Sequence, residues 1–600
     1  MLIPLLINDM KSFYRSAFYL LLLLIYSINV NAQTIYVNQV GFDSKGPKTA
    51  VVGMDEKIST PIAFKLIDVT TKKTVFEGKL GRPEQVKSWD TNKYYYQVDF
   101  SNYHLKGKYS ININVKGKQI ISFPFQIAED ALATLTIPSI IHYYNKQRAN
   151  TTEELAADKH IILQGSTSTV DLTGGWCDAS GDISKYFSHL AYTNFMMPQQ
   201  IPLVTWSMVE ASEAIPTLLT RMQVKDSLTS EALWGADYLV RSLAKEEYFY
   251  MTVFSFFNKD PNARRVVGLN ADSKVTNKYQ SAFREGGGMA IAALARISRW
   301  KKDGAFTSAQ YLSIAKKAFA HLLVNNVKYT DDGKENIIDD YCALLAATEL
   351  WMASDETIYR DEARKRATNL EKRMTIKGYF IADDNNRPFY HAADAGLPII
   401  ALARYLQKEK DLNLRNHSLV VIKKALDYNL AITSNTENPF GYARQSFLLK
   451  GEYQEGFFIP HENESGWWWQ GENARLGSLA MAAIVGGRLV YPANGGLGIK
   501  PELAKYASQQ LSWILGSNPY EMCFMYQFGK NNVPYMASLF GHGSERGGIS
   551  NGITGKDGNA DGSGIDFKAS ASGNEWRWTE QWIPHAAYFL QAISAMAEKK

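Results

Sequence analysis

The feature that most constrains this chain is a change of hydrophobic period near Ala133. Before it, apolar and polar residues alternate in short runs, most plainly in Ser110-Ile111-Asn112-Ile113-Asn114-Val115, so each run has one apolar face. Seven such runs (34–42, 48–54, 62–69, 74–80, 93–103, 107–115 and 119–127), broken by Gly, Lys and Asp turns, predict a β-sandwich. After it the period is helical. Twelve candidate helices begin near residues 133, 205, 226, 284, 308, 336, 356, 392, 414, 475, 501 and 580. Leu312, Ala315, Phe319 and Leu322 fall on one helical stripe. Residues 288–297 and 476–485 are apolar over much of their circumference, which requires burial on two sides. One-sided and two-sided helices in these numbers fit a closed ring of six helical hairpins better than a simple bundle. The chain therefore reads as multidomain, a β-sandwich over 33–130 and an all-α unit over 131–600.

Four long, aromatic connections (160–202, 248–284, 435–471 and 518–579) would converge at one end of such a ring, and loops of that length are usually functional. Residues 1–32 have a different character. Lys11 and Arg15 precede an apolar run over 17–28 and a small-residue stop at Val30-Asn31-Ala32, the pattern of a secretory signal cleaved before Gln33. The run is shorter than the roughly 20 residues a membrane span needs. An exported protein, periplasmic or secreted, with no membrane segment after cleavage is the expectation. The net charge of +5, from 65 basic and 60 acidic residues, is small for this length and argues against a nucleic-acid partner.

Three clusters carry chemistry. Gly174-Gly175-Trp176-Cys177-Asp178-Ala179-Ser180-Gly181-Asp182 holds two carboxylates four residues apart among glycines, and two acids sharing one water can aim it as a nucleophile. Asp182 also reads as the N-cap of a helix over 183–195, which leaves Asp178 unexplained. Near the C-terminus, Glu580 stands among Trp576, Trp578 and Trp582, just before a helix whose first turn suits Pro584. Aromatic walls raise a carboxyl pKa, as a general acid requires, although a first-turn Glu favoured by the helix dipole fits the same position. The third, His461-Glu462-Asn463-Glu464-Ser465-Gly466-Trp467-Trp468-Trp469, offers ring-stacking surface edged with polar groups. Asp339, Asp340, His391, Asp394, Tyr442 and Arg444 place further polar groups at the ends of candidate helices.

Metal chemistry is not indicated. Cys177, Cys342 and Cys523 fit no zinc spacing, His461 with its neighbouring glutamates lacks a second His, and no EF-hand loop for calcium is present. No Gly-x-Ser-x-Gly elbow supports a serine hydrolase.

With these residues in view, the chain resembles glycoside hydrolase family 9, cellulases with an N-terminal immunoglobulin-like domain and an (α/α)6 barrel. The resemblance rests on Tyr36-Val37-Asn38-Gln39-Val40-Gly41-Phe42, on Gly174-Gly175-Trp176 with its paired aspartates, and on Glu580. It implies hydrolysis of β-1,4 links with inversion, with Asp182 as base, Asp178 as its partner holding the water, and Glu580 as acid. An oligo- or polysaccharide substrate is then expected against the candidates read from the sequence, Trp176, Asp339, Asp340, His391, Asp394, Tyr442, Arg444, His461, Glu462, Glu464, Trp467 and Trp578. The family's usual Asp-Ala-Gly-Asp is one residue longer here. That departure, with Trp576-Arg577-Trp578, resembles the exo-β-glucosaminidase branch, which trims glucosamine from chitosan- or chitin-derived oligosaccharides. A glucosamine ammonium needs an anionic subsite, for which Glu462 or Glu464 is the expected acceptor. An endo-β-1,4-glucanase of the same family is the rival reading, and a carbohydrate-binding protein without catalysis the more distant one.

Overall fold

The computed structural model describes residues 33–89, 91–189, 196–270, 274–463, 469–536, 542–570 and 575–598. The expected signal segment, Glu464 and Trp467 lie outside them. Among the described residues no helix is long and apolar enough to cross a membrane.

The strands of the first unit form two sheets. One runs in the order Gln33–Tyr36, Thr49–Met54, Tyr94–Asp99, Pro83–Glu84. The other runs Gly41–Asp43, Phe125–Ala128, Gly107–Val115, Ala63–Asp68, Thr74–Lys79, with Lys118–Ile121 beside Gly107–Val115. Ile111, Ile113 and Val115 face inward, and Asn112 and Asn114 do not. They meet Val52, Val98, Phe64 and Leu66 in the sandwich core. Two expected strands are split. Within 34–42 the Asn38 side chain accepts the N–H groups of Val40 and Gly41, turning the chain so that its halves join opposite sheets. Within 119–127 the break falls at Ser122-Phe123-Pro124, where Pro124 has no N–H for a ladder.

Among the described residues twelve helices of nine or more residues follow: α1 (Ala131–Gln147), α2 (Ile201–Ala214), α3 (Lys225–Arg241), α4 (Gly287–Ser298), α5 (Ser308–Tyr329), α6 (Ile337–Ser354), α7 (Thr357–Lys372), α8 (Leu397–Tyr405), α9 (Leu412–Ser434), α10 (Glu472–Val490), α11 (Pro501–Ile514) and α12 (Ile583–Ala597). The even-numbered helices pack in sequence, α2 on α4, α4 on α6, α6 on α8, α8 on α10, α10 on α12, and α12 back on α2. Composition explains which helices form this inner ring. Every residue of α4 is buried, whereas α5 buries only the stripe of Tyr311, Ala315, Ala318, Phe319, Leu322 and Asn326. The expected stripe thus starts one residue early, at Tyr311, with Leu312 only partly covered.

The long connections are not bare loops. Residues 160–202 and 248–284 together build a sheet in the order Thr169–Val170, Ile161–Leu163, Arg265–Asn270, Thr252–Phe254, Lys185–Tyr186. The helix read over 183–195 is corrected accordingly, since Lys185–Tyr186 is a strand paired with Thr252–Phe254. The sandwich rests on the helical unit through an aromatic cluster. Trp89 packs edge-on against Phe457 at 5.0 Å between centroids and lies 5.9 Å from Trp513.

Candidate active site

The base segment is set by its glycines and by what lies beneath it. Gly175 has φ of 76°, and a Cβ there would meet the Tyr238 ring at 2.9 Å, so only glycine lets the turn sit on α3. Below it, the buried Lys185 ammonium donates to the carbonyls of Leu172 and Gly174 at 2.6 and 3.0 Å and to Asp158 at 2.8 Å. Arg264 closes the other side of Asp158 at 2.7 Å.

This segment is stitched to the C-terminal loop. Ala179 bridges Trp582, and Ser180 donates its N–H to the Gln581 carbonyl while its hydroxyl accepts the Gln581 N–H at 2.9 Å. Ile583 donates its N–H to the Asp178 carbonyl at 3.1 Å. Two carboxylates and a third acid 398 positions later therefore meet because their backbones share a short ladder. On its far side the C-terminal loop is held by Asn551, whose N–H donates to the Glu580 carbonyl at 3.0 Å.

The three acids feel each other's charge. Asp178 is held well above the usual carboxylate range by burial, then by Asp182 and Glu580, against hydrogen bonds from Trp582 and Gln200. Asp182 is also pushed up by burial, but its Oδ1 accepts the Ser184 N–H and the Ser255 hydroxyl, each at 2.9 Å, and both favour the charged form. Glu580 is pushed up to about 8 by burial and by the Asp182 charge, opposed by Asn551. Asp182 is thus the acid best equipped to carry charge and Glu580 the one that keeps a proton at neutral pH. His189 Nε2 lies 3.8 Å from Asp178, and burial pushes its pKa down to about 3, so it faces Asp178 as a neutral ring.

Other expected site residues fall into two groups. Asp394 and His391 are buried beside α8, where Asp394 accepts the hydroxyls of Tyr588 at 2.7 Å and Tyr341 at 3.0 Å and faces the Gln199 N–H. Gln199 is one residue along the chain from Gln200, whose side chain hydrogen-bonds Asp178. His461 stacks on Trp469 with centroids 3.8 Å apart, Arg577 covers the same indole at 3.9 Å, and Trp578 meets its edge at 5.7 Å.

The second group is corrected. Asp339 caps α6 and pairs with Arg284 at 2.9 Å, and Asp340 pairs with Arg366 and Arg373, so both carboxylates are spent inside the helical packing. Trp176 is fully buried with its N–H on Glu231, and Tyr442 is buried with its hydroxyl on Glu472. Arg444 donates to Ile432 and Glu455 carbonyls beside a cavity shared with the sandwich. Glu462 is exposed and pairs with Lys450 at 3.5 Å. Sequence reasoning read Trp582 as a wall of Glu580 rather than the donor to Asp178, and passed over Ser255, His189 and Asn551 as contacts of the acids. Trp582 alone carried a signal, two residues from Glu580.

Three buried acids joined through one backbone ladder are the kind of groups a carboxylate-based hydrolase uses. Comparison with known proteins narrows the class. Residues 136–557 match the model of glycosyl hydrolase family 9, and residues 31–118 match the cellulase N-terminal Ig-like domain. The chain belongs to glycosyl hydrolase family 9. Curated relatives include Endoglucanase 4 of Arabidopsis thaliana, 23% identical over 386 residues, covering 61% of this chain and 70% of that protein. Another is the xyloglucan-specific endo-beta-1,4-glucanase BoGH9A of Bacteroides ovatus, 24% identical over 381 residues, covering 56% and 60%. Among solved structures, a metagenome-derived family 9 endoglucanase aligns over 94% of this chain and 99% of its own, with TM-score 0.66 and 16% identity. A Bacteroides ovatus family 9 structure aligns over the same shares with TM-score 0.63 and 18% identity. These structural likenesses speak to the fold.

Proposed function

We propose that this chain is an exported, inverting β-1,4-glycosidase built on an (α/α)6 barrel, acting as an endo-β-1,4-glucanase. In this reading domain 33–130 is a structural support and 131–600 the catalytic unit. Asp182, aided by Asp178, holds a water beneath the anomeric carbon. The water oxygen forms the new C–O bond as its proton passes to the Asp182 carboxylate, and the glycosidic C–O bond breaks as Glu580 gives its proton to the departing alcohol. The observation that carries the reading is the charge relation of the three acids, with Glu580 kept protonated by burial and by Asp182. His461, Trp469 and Trp578 supply ring surface for neighbouring sugars. The names of the relatives support a glucan backbone.

The longer Asp178–Asp182 spacing, which resembles that branch, leaves exo-β-glucosaminidase as the second reading. The residue by which 178–182 exceeds the family's spacing is accommodated by Ser180, which ties the base segment to Gln581 with two hydrogen bonds. A single assay separates the readings. Products from cello- and glucosamine oligomers are sized over time and their anomers read by proton NMR. Mixed lengths from cello-oligomers with the α-anomer formed first support the endoglucanase. Stepwise release of glucosamine supports the second reading, and β-anomer first defeats the inverting mechanism in either.

A further inference from the structure

One buried carboxylate ties the helical ring together across its middle, and no step of the hydrolysis uses it. Asp394, fully buried just before α8, accepts the Tyr588 hydroxyl on Oδ1 at 2.7 Å. Its Oδ2 accepts the Tyr341 hydroxyl at 3.0 Å and faces the Gln199 N–H at 3.4 Å. Tyr341 lies on α6 and Tyr588 on α12, which stand opposite each other in the packing order of the ring. Gln199 leads into α2, which stands opposite α8. A single side chain thus joins two pairs of helices across the ring.

His391 fixes the local backbone. Its Nδ1 accepts the N–H groups of Ala393 and Asp394 at 3.1 and 2.9 Å. An accepting Nδ1 leaves the ring proton on Nε2, 4.0 Å from Asp394 Oδ2. With three donors around it and no exposure, the Asp394 carboxylate is turned to the protein rather than to sugar.

What Asp394 holds is the neighbourhood of Asp178. The Pro198 carbonyl accepts the His189 N–H at 3.1 Å, and His189 faces Asp178 at 3.8 Å. Gln200 donates its N–H to the Phe187 carbonyl at 2.9 Å. Its side chain does not cap α2 and instead favours the charged form of Asp178. On the other side, Tyr588 anchors α12, whose N-cap Trp582 donates to Asp178.

We propose, on the reading that Asp178 holds the attacking water, that Asp394 is a positioning residue that keeps residues 198–200 and α12 in place around Asp178. A carboxylate suits the task because all its partners donate. An amide would turn its NH2 against one of them.

The test is a double-mutant cycle on the full chain, read as kcat and KM on the cello- or glucosamine oligomer that the parent cleaves. Asp394→Asn should lower kcat about tenfold, with KM within about twofold of the parent. In a Gln200→Ala background the same change should lower kcat no more than about threefold, because part of its path to Asp178 is already gone. Tyr341→Phe and Tyr588→Phe keep the rings, remove one donor each, and carry the same cycle if Asp394→Asn does not fold. Equal factors in both backgrounds, or a rise in KM that accounts for the loss, would assign Asp394 to general packing or to sugar and overturn the proposal. Asp178→Asn is measured alongside. Unchanged turnover there defeats the reading of Asp178 and the proposal with it, whereas lost turnover there with equal factors for Asp394 defeats the proposal alone.

Discussion

Trp582 donates its indole N–H to Asp178 Oδ1 at 3.1 Å, while the next residue, Ile583, donates its backbone N–H to the Asp178 carbonyl. Asp178, the acid proposed to hold the water, is therefore positioned by the same loop that carries Glu580. Base side and acid side form one mechanical unit.

Trp582→Phe keeps the ring and removes the donor. A net intramolecular hydrogen bond is worth about 0.5–1.5 kcal/mol, so kcat should fall about 2- to 12-fold. KM should change little, since the lost contact acts on Asp178 rather than on sugar. A matching rise in KM with kcat preserved, measured on a soluble oligosaccharide, would assign Trp582 to substrate binding instead.

Ser255→Ala tests the charge on Asp182. The Ser255 hydroxyl bonds Asp182 Oδ1 at 2.9 Å and favours its ionised form. Losing that bond raises the Asp182 pKa, so the acidic limb of the kcat/KM profile should move to higher pH while the basic limb stays. An unmoved acidic limb would mean that Asp182 is not the group that titrates there.

Much of this was legible in the sequence, and the limits have physical causes. Period and apolar circumference revealed the strands, the helices and the division into one-sided and two-sided helices, because burial acts on every turn of a helix alike. Asp178, Asp182 and Glu580 stood out because each is an acid among glycines or tryptophans. Asp339 and Asp340 look identical at that level to substrate-binding acids. Only their partners, Arg284, Arg366 and Arg373, reveal that they hold helices together, and those pairings span up to 55 residues. Trp176 and Tyr442 misled for a related reason. An aromatic ring serves core and sugar equally well, and burial, which sequence does not specify, decides between them.

The aromatic seat of the sandwich gives a prediction on stability. Trp89 is 1% exposed and packs against Phe440, Phe457 and Trp513. Trp89→Ala should cost about 3–5 kcal/mol in domain coupling. Calorimetry of the variant should show the single transition of the parent separating into two, the sandwich melting first. One unchanged transition would mean that Gln39, with its N–H on the Leu515 carbonyl and its side-chain amide on the Glu521 carbonyl, suffices to couple the units.

Glu580 sets opposing demands on activity and stability. Its folded pKa of about 8 exceeds its ordinary value of 4.5, chiefly through burial and then through Asp182. Between those two values the native state holds a proton that the unfolded chain has released, so stability falls as pH rises through that window, and the penalty is complete above about pH 8. Glu580→Gln carries no such penalty. Its melting temperature should match the parent's near pH 4 and exceed it most at pH 9, while kcat drops about 10²- to 10⁴-fold, as for loss of a general acid. In the parent, the basic limb of kcat should fall away near pH 8, as the proton destined for the leaving alcohol is lost. Combining Asp182→Asn with the melting series should shrink the gain at pH 9, because part of the penalty is repulsion from Asp182. A Glu580→Gln gain that is equal at pH 4 and pH 9 would show that Glu580 titrates at its ordinary value near 4.5 in the native state and is ionised at neutral pH, and that the acid of this site must be sought elsewhere.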